Sequence, residues 1–203
     1  MIKKTAERIA KFICKGTAIP ADMQEVYQYG IELTLSTILN VFWIVLASAV
    51  LSDIVSGLIF LAVFMIIRPF TGGYHADTYF RCNVAFILTF HAVWCARQGI
   101  TAIPDIELAY RILEVLMLLG VMPVIAYSPI ENKNKSLNEH RRKNCRIIGI
   151  ILYITAALSA LVIQFVSIEY GAMITLTLSA VSIMMIIETL KRRRPANKSQ
   201  GVK

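Results

Sequence analysis

Six apolar blocks, at roughly 31–52, 54–67, 84–97, 112–127, 147–166 and 172–190, divide this chain. In hydrocarbon every backbone N–H and C=O must find a partner within its own segment, so each block is predicted to be a bilayer-crossing helix. The composition agrees: 57% of the 203 residues are hydrophobic and only 17% are charged. A soluble domain of this size would carry more charge and scatter its apolar residues. The expected fold class is therefore an all-α polytopic membrane protein with about six transmembrane helices, forming a single domain over 1–203.

The formal net charge of +8 points first to membrane topology and not to nucleic acid, because Lys and Arg collect in cytoplasmic loops. The N-terminus is basic, and so are the connections at 68–82 and 128–146 and the tail at 191–203. The connections at 52–53, 98–110 and 167–171 hold no Lys or Arg. This alternation predicts that both termini and the two basic connections lie in the cytoplasm. The tail beyond Leu190 reads as disordered. Residues 1–16 read as an amphipathic helix, with Ile2, Ala6, Ile9 and Ile13 on one face and Lys3, Lys4, Arg8, Lys11 and Lys15 on or beside the other. It suits an anionic bilayer surface or the protein itself equally well. No secretory cleavage pattern precedes the first span. Cys14, Cys82, Cys95 and Cys145 have neither metal nor disulfide-framework spacing, so no metal or cofactor is expected.

Two spans look short. At about 1.5 Å rise per residue, 54–67 and 84–97 each reach roughly 21 Å, against about 30 Å of hydrocarbon. Either the bilayer thins there, or the segment between them dips into a recessed pocket. That segment reads RPFTGGYHADTYFRC, Arg68 to Cys82. Pro69 and Gly72-Gly73 are expected to break the helix, and Asp77 to cap the next one, with Thr78 in its first turn. On one unbroken helix His75 and Cys82 would stand about 10 Å apart along the axis, too far for a catalytic pair. With the break, His75 can fold back over the helix start. Cys82 then has the positive end of a helix, Arg81 and Arg68 near it, all favouring thiolate. Cysteine with an imidazole partner is a nucleophilic pair, and Gly73 N–H and Arg68 could face an oxyanion.

Taken singly, each residue also fits a plainer role: a solvated histidine, a packing cysteine, snorkelling arginines, a glycine turn. A rival pair, His91 and Cys95, has i, i+4 spacing, but lies near the opposite bilayer face without glycine or arginine beside it. It reads as packing. Glu32, Asp53 and Glu114 read as structural groups in or at the ends of spans. A zinc protease is disfavoured, since HExxH does not occur.

These features together, with SPIENKNKSLNEHRRK after the fourth span, resemble the accessory gene regulator B (AgrB) family. Its members are bacterial membrane cysteine endopeptidases that process the quorum-sensing propeptide AgrD. The most specific part of the resemblance is Arg68, Gly73, His75 and Cys82; Pro129, Asn132, Lys133, Asn134 and Leu137 form a weaker second match. The resemblance implies a multi-pass protein of the bacterial cell membrane with its active site facing the cytoplasm. It implies Cys82 as nucleophile, His75 as base, an AgrD-like propeptide as substrate, (thio)lactone macrocyclisation, and a homodimer. Asp77 as an orienter of His75 goes beyond the resemblance. The substrates of the family end in an acidic tail, which Lys133, Lys135, Arg141, Arg142 and Lys143 could complement. A small transporter and a non-catalytic receptor or assembly factor remain open as other classes.

Overall fold

The computed structural model describes residues 2–16, 23–73, 78–130 and 138–198, and their regular structure is entirely helical. In chain order the helices are α1 (Ile2–Gly16), α2 (Gln24–Val50), α3 (Ile54–Thr71), α4 (Tyr79–Thr101), α5 (Ile106–Tyr127), α6 (Glu139–Val166) and α7 (Ile168–Lys198). Five of them, α2, α3, α5, α6 and α7, are long and apolar enough to cross a membrane. Arg81, Asn83, His91 and Arg97 interrupt the apolar run of α4, which nonetheless packs in the bundle against α2 and α7.

Several boundaries differ from the sequence reading. The third helix does not break at Pro69; it continues to Thr71. A proline so near a helix end removes little of the ladder. Gly72 stops it instead, at φ 75°, with its N–H donating to the Arg68 carbonyl at 2.9 Å. α3 therefore reaches about 27 Å and α4 about 34 Å at the standard rise, so neither bilayer thinning nor a deep dip is required. The 128–146 segment is not all loop, because α6 takes it over from Glu139. Likewise α7 continues past Leu190 to Lys198, where the sequence suggested disorder.

The bundle is built around α7, which packs against α3, α4, α5 and α6. Its residues Gly171 to Leu178 are all buried. Large apolar side chains such as Phe42, Leu118, Met122, Val162 and Phe165 face outward, as lipid-facing residues must. Small and hydroxyl side chains join the interior, among them Ser48, Ser56, Thr175, Thr177 and Ser182. Such residues let helices approach closely and bond across the interface. On the edge of the bundle α1 lies against α2, with Ala6 and Ala10 wholly buried and Phe12 81% exposed. Its small face is thus turned to protein and part of its apolar surface remains outside.

At one end of the bundle Arg97 is buried, with Asp53 at 2.7 Å and Glu169 at 3.7 Å. Its guanidinium also donates to Ser56 Oγ at 2.9 Å, and Trp94 Nε1 donates to Asp53 at 3.0 Å. Asp53 is the N-cap of α3. Arg111, near the start of α5, stands 4.0 Å from Glu107. The boundaries used for the loops in the sequence reading left Arg97 and Arg111 out, so the charge pattern is an asymmetry and not a strict alternation.

Candidate functional site

The other end of the bundle carries the RPFTGGYHADTYFRC segment. Thr78, extended at φ −135° and ψ 147°, is the N-cap of α4; its Oγ1 accepts from the Arg81 N–H at 3.3 Å. The cap is thus Thr78 and not Asp77. Side-chain oxygens are favoured here because the first N–H groups of a helix have no partner within it. Cys82 closes this first turn, its N–H donating to the Thr78 carbonyl at 3.1 Å. The thiol is free and half-buried.

Arg68 reaches this turn from the end of α3. Its guanidinium lies 5.0 Å from the centre of the Phe64 ring, and Nη1 is 3.6 Å from Met184 Sδ of α7. It also interacts electrostatically with Cys82. Arg81 is exposed on the outer side of the same turn, next to Phe80.

Gly73 follows Gly72 at φ 154° and is buried; a Cβ there would come to 3.9 Å from Arg68 Nε and 4.0 Å from Met184 Cβ. Gly72 is the more constrained of the two. Its φ lies in the region that L side chains avoid, and a Cβ would run into the backbone of Ile130. This close approach is fixed by the Ile130 N–H, which donates to the Thr71 carbonyl at 3.0 Å. The end of α3 is thereby joined to the connection that leads into α6.

His75 and Asp77 lie outside the described residues, as do Lys133 and Lys135. Arg141, Arg142 and Lys143 are exposed on the first turns of α6, where the helix terminus adds its own positive potential. Of the predicted site residues, then, Arg68 lies beside Gly73 and interacts electrostatically with Cys82.

The rival pair is tied into its own helix: His91 Nδ1 is 2.9 Å from the Ile87 carbonyl, and Cys95 is exposed. Among the described residues no three His, Cys, Asp or Glu side chains converge to hold a metal. The sequence reading missed Tyr79 and Met184. Tyr79 stands three residues before Cys82, a spacing that places both on one helical face; Met184 had no local signal, since only tertiary packing brings α7 to Arg68.

The family model for accessory gene regulator B matches residues 6–187. AgrB-like protein 2 of Clostridium perfringens strain 13 is 23% identical over 161 residues, covering 76% of this chain and 75% of that protein. An AgrB-like protein of C. perfringens strain SM101 is 20% identical over the same coverage. One from Lactiplantibacillus plantarum is 23% identical over 190 residues, covering 92% of this chain and 90% of its own. No solved structure matches the chain. The chain belongs to the AgrB family, multi-pass membrane proteins of agr quorum-sensing propeptide processing.

Proposed function

We propose that the protein is a cysteine endopeptidase in which the Cys82 thiolate cleaves an AgrD-like propeptide on the C-terminal side of the future signal. The observation that carries this reading is the half-buried Cys82 thiol in the first turn of α4, in the field of the Arg68 guanidinium. Both the helix end and the cation favour thiolate.

In this mechanism His75 accepts the thiol proton, and the Cys82 sulfur adds to the scissile carbonyl. Arg68 and the Gly73 N–H stabilise the oxyanion. His75 returns the proton to the leaving amine, and the acyl group stays on Cys82 as a thioester. A Cys or Ser side chain inside the peptide then attacks that thioester, closing the ring and regenerating Cys82. With a cysteine as ring closer, one thioester replaces another, so the step needs no nucleotide. Exclusion of water around the half-buried thiol would limit hydrolysis of the intermediate.

The Lys and Arg asymmetry supports placing the Cys82 end in the cytoplasm, where the propeptide is made. Arg141, Arg142 and Lys143, at the start of α6, belong to that end; with Lys133 and Lys135, which precede them in sequence, they suit an acidic tail. The test is co-expression with an AgrD-like propeptide. Cys82→Ala should abolish cleavage, whereas Cys14→Ala and Cys95→Ala should not. Full processing by the Cys82→Ala protein would remove the assignment.

A further inference from the structure

Cys82 sits between two polar links that tie α4 to α2. Tyr79 lies close enough to Glu32 for the two side chains to interact electrostatically, and Ser36 Oγ donates to Asn83 Oδ1 at 2.7 Å. Glu32 and Ser36 are one turn apart on α2, as Tyr79 and Asn83 are on α4, so the links form successive rungs between helices running in the same direction. Gln28, one turn before Glu32, extends the ladder by donating Nε2 to Glu32 Oε1 at 2.9 Å.

The burial pattern of α2 gives these rungs weight. The buried residues of this helix are Glu32, Ser36, Ile44 and Ser48, so its first half meets the bundle through polar groups. Glu32 is 6% exposed and Ser36 5%. A carboxylate at such a place is costly unless it is partnered and used. Tyr79 in turn interacts electrostatically with Cys82, which it neighbours on the same helical face.

We propose that Glu32 and Ser36 are positioning residues that hold the first turn of α4 so that the Cys82 thiol stays against Arg68. The proposal rests on Cys82 being the nucleophile, and it assigns α2 a part in the site that packing alone does not require. Among the described residues, the charged and titratable groups interacting with Cys82 are Arg68 from α3 and Tyr79 from its own helix. Glu32 of α2 stands behind Tyr79, and Tyr29 beside it.

The test uses the full chain carrying Cys14→Ala, Cys95→Ala and Cys145→Ala, reconstituted in liposomes. Two quantities are measured: the pH midpoint of Cys82 alkylation by iodoacetamide, and kcat and KM for propeptide cleavage. Tyr79→Phe removes one oxygen and little packing. It should raise the alkylation midpoint and lower kcat about tenfold or more, the scale of a lost hydrogen bond to a charged group, with KM nearly unchanged. Ser36→Ala should move both in the same direction by less. Glu32→Ala should match Tyr79→Phe, and Glu32→Gln, which keeps an acceptor for the tyrosine, should restore most of the rate. Wild-type midpoints and kcat in both Tyr79→Phe and Ser36→Ala would overturn the proposal, as would a fall in kcat with no change in midpoint. A shifted midpoint in a protein whose cleavage does not require Cys82 would uphold the rungs and reject the nucleophile.

Discussion

Arg68 at the end of α3 and Cys82 in the first turn of α4 belong to successive helices, yet their side chains interact. The arginine is held there from two sides, by the Phe64 ring and by Met184 of α7. In the proposed mechanism this positive charge acts on the thiol before substrate binds. Arg68→Gln should therefore raise the pH midpoint of Cys82 alkylation and slow propeptide cleavage by about 10- to 100-fold, the scale of a lost charge-assisted contact. Arg68→Lys keeps the charge without the planar face over Phe64 and should recover only part of the rate. Unchanged alkylation in Arg68→Gln would mean the cation has no part in activating the thiol.

Gly72 and Gly73 should respond differently to alanine. At Gly72 the added Cβ meets the Ile130 backbone and the φ of 75° is strained. The cost is of order 1–3 kcal/mol for the backbone alone, and the Thr71–Ile130 hydrogen bond should be lost with it. At Gly73 the nearest atoms lie at 3.9–4.0 Å, ordinary contact, so only its φ of 154° opposes the change. Thermal denaturation in detergent should rank Gly72→Ala well below Gly73→Ala. The reverse order would contradict the docking of the two connections.

The ion cluster at the far end is a stability element and should leave the chemistry of the folded fraction alone. Removing one partner of a buried pair costs about 3–5 kcal/mol, so Arg97→Ala and Asp53→Ala should each lower the melting temperature sharply. The Asp53 carboxyl is raised by burial, but hydrogen bonds from Ser56 and Trp94 and the charge of Arg97 outweigh this and hold it below its ordinary value of 3.8. Its contribution to stability is thus fully present above that ordinary value and is lost as pH falls through the lower folded one. Asp53→Asn should flatten this acid-side decline. An equally steep decline in the variant would exclude Asp53 as its source.

Topology can be read from thiol labelling in intact cells. A membrane-impermeant maleimide should spare single-cysteine proteins bearing Cys82 or Cys145. It should label one carrying Ala102→Cys, an exposed position at the other end of the bundle. Labelling of Cys145 from outside would invert the orientation and move the thiol site with it.

Salt dependence tests the basic rim. If Lys133, Lys135, Arg141, Arg142 and Lys143 attract an acidic propeptide tail, KM should rise with ionic strength, since exposed charges are screened over about 8 Å at physiological salt. Lys133→Gln with Lys135→Gln should weaken capture, leave kcat near wild type and blunt the response to salt. An unaltered KM and salt slope would leave these residues as topology signals alone.

The all-helical fold and the break between α3 and α4 were legible because hydrocarbon permits few backbone solutions and because glycine, proline and charge punctuate the chain at 68–82. Helix ends were read too short. Arg68 and Thr71 on α3, and Tyr79 and Arg81 on α4, are polar or interfacial residues that hydropathy assigns to loops, although the backbone ladder continues through them. Asp77 and Thr78 are both good caps by composition, and only the backbone geometry chose Thr78. Glu32 drew notice as an ionisable residue in a span and was read as structural. Its link to Tyr79 depends on how α2 and α4 pack, which no local pattern encodes.

α7 is made after α3, α4, α5 and α6, and it is also the helix around which they are arranged. Until it arrives, Arg97 lacks Glu169 at one end of the bundle and Arg68 lacks Met184 at the other. The helices before it can therefore enter the membrane one by one, but the core that α3, α4, α5 and α6 share arrives only with α7. The surroundings of Cys82 are therefore completed only once α7 has been made. A nascent chain thus carries the Cys82 thiol through synthesis before Arg68 has gained its contact with Met184.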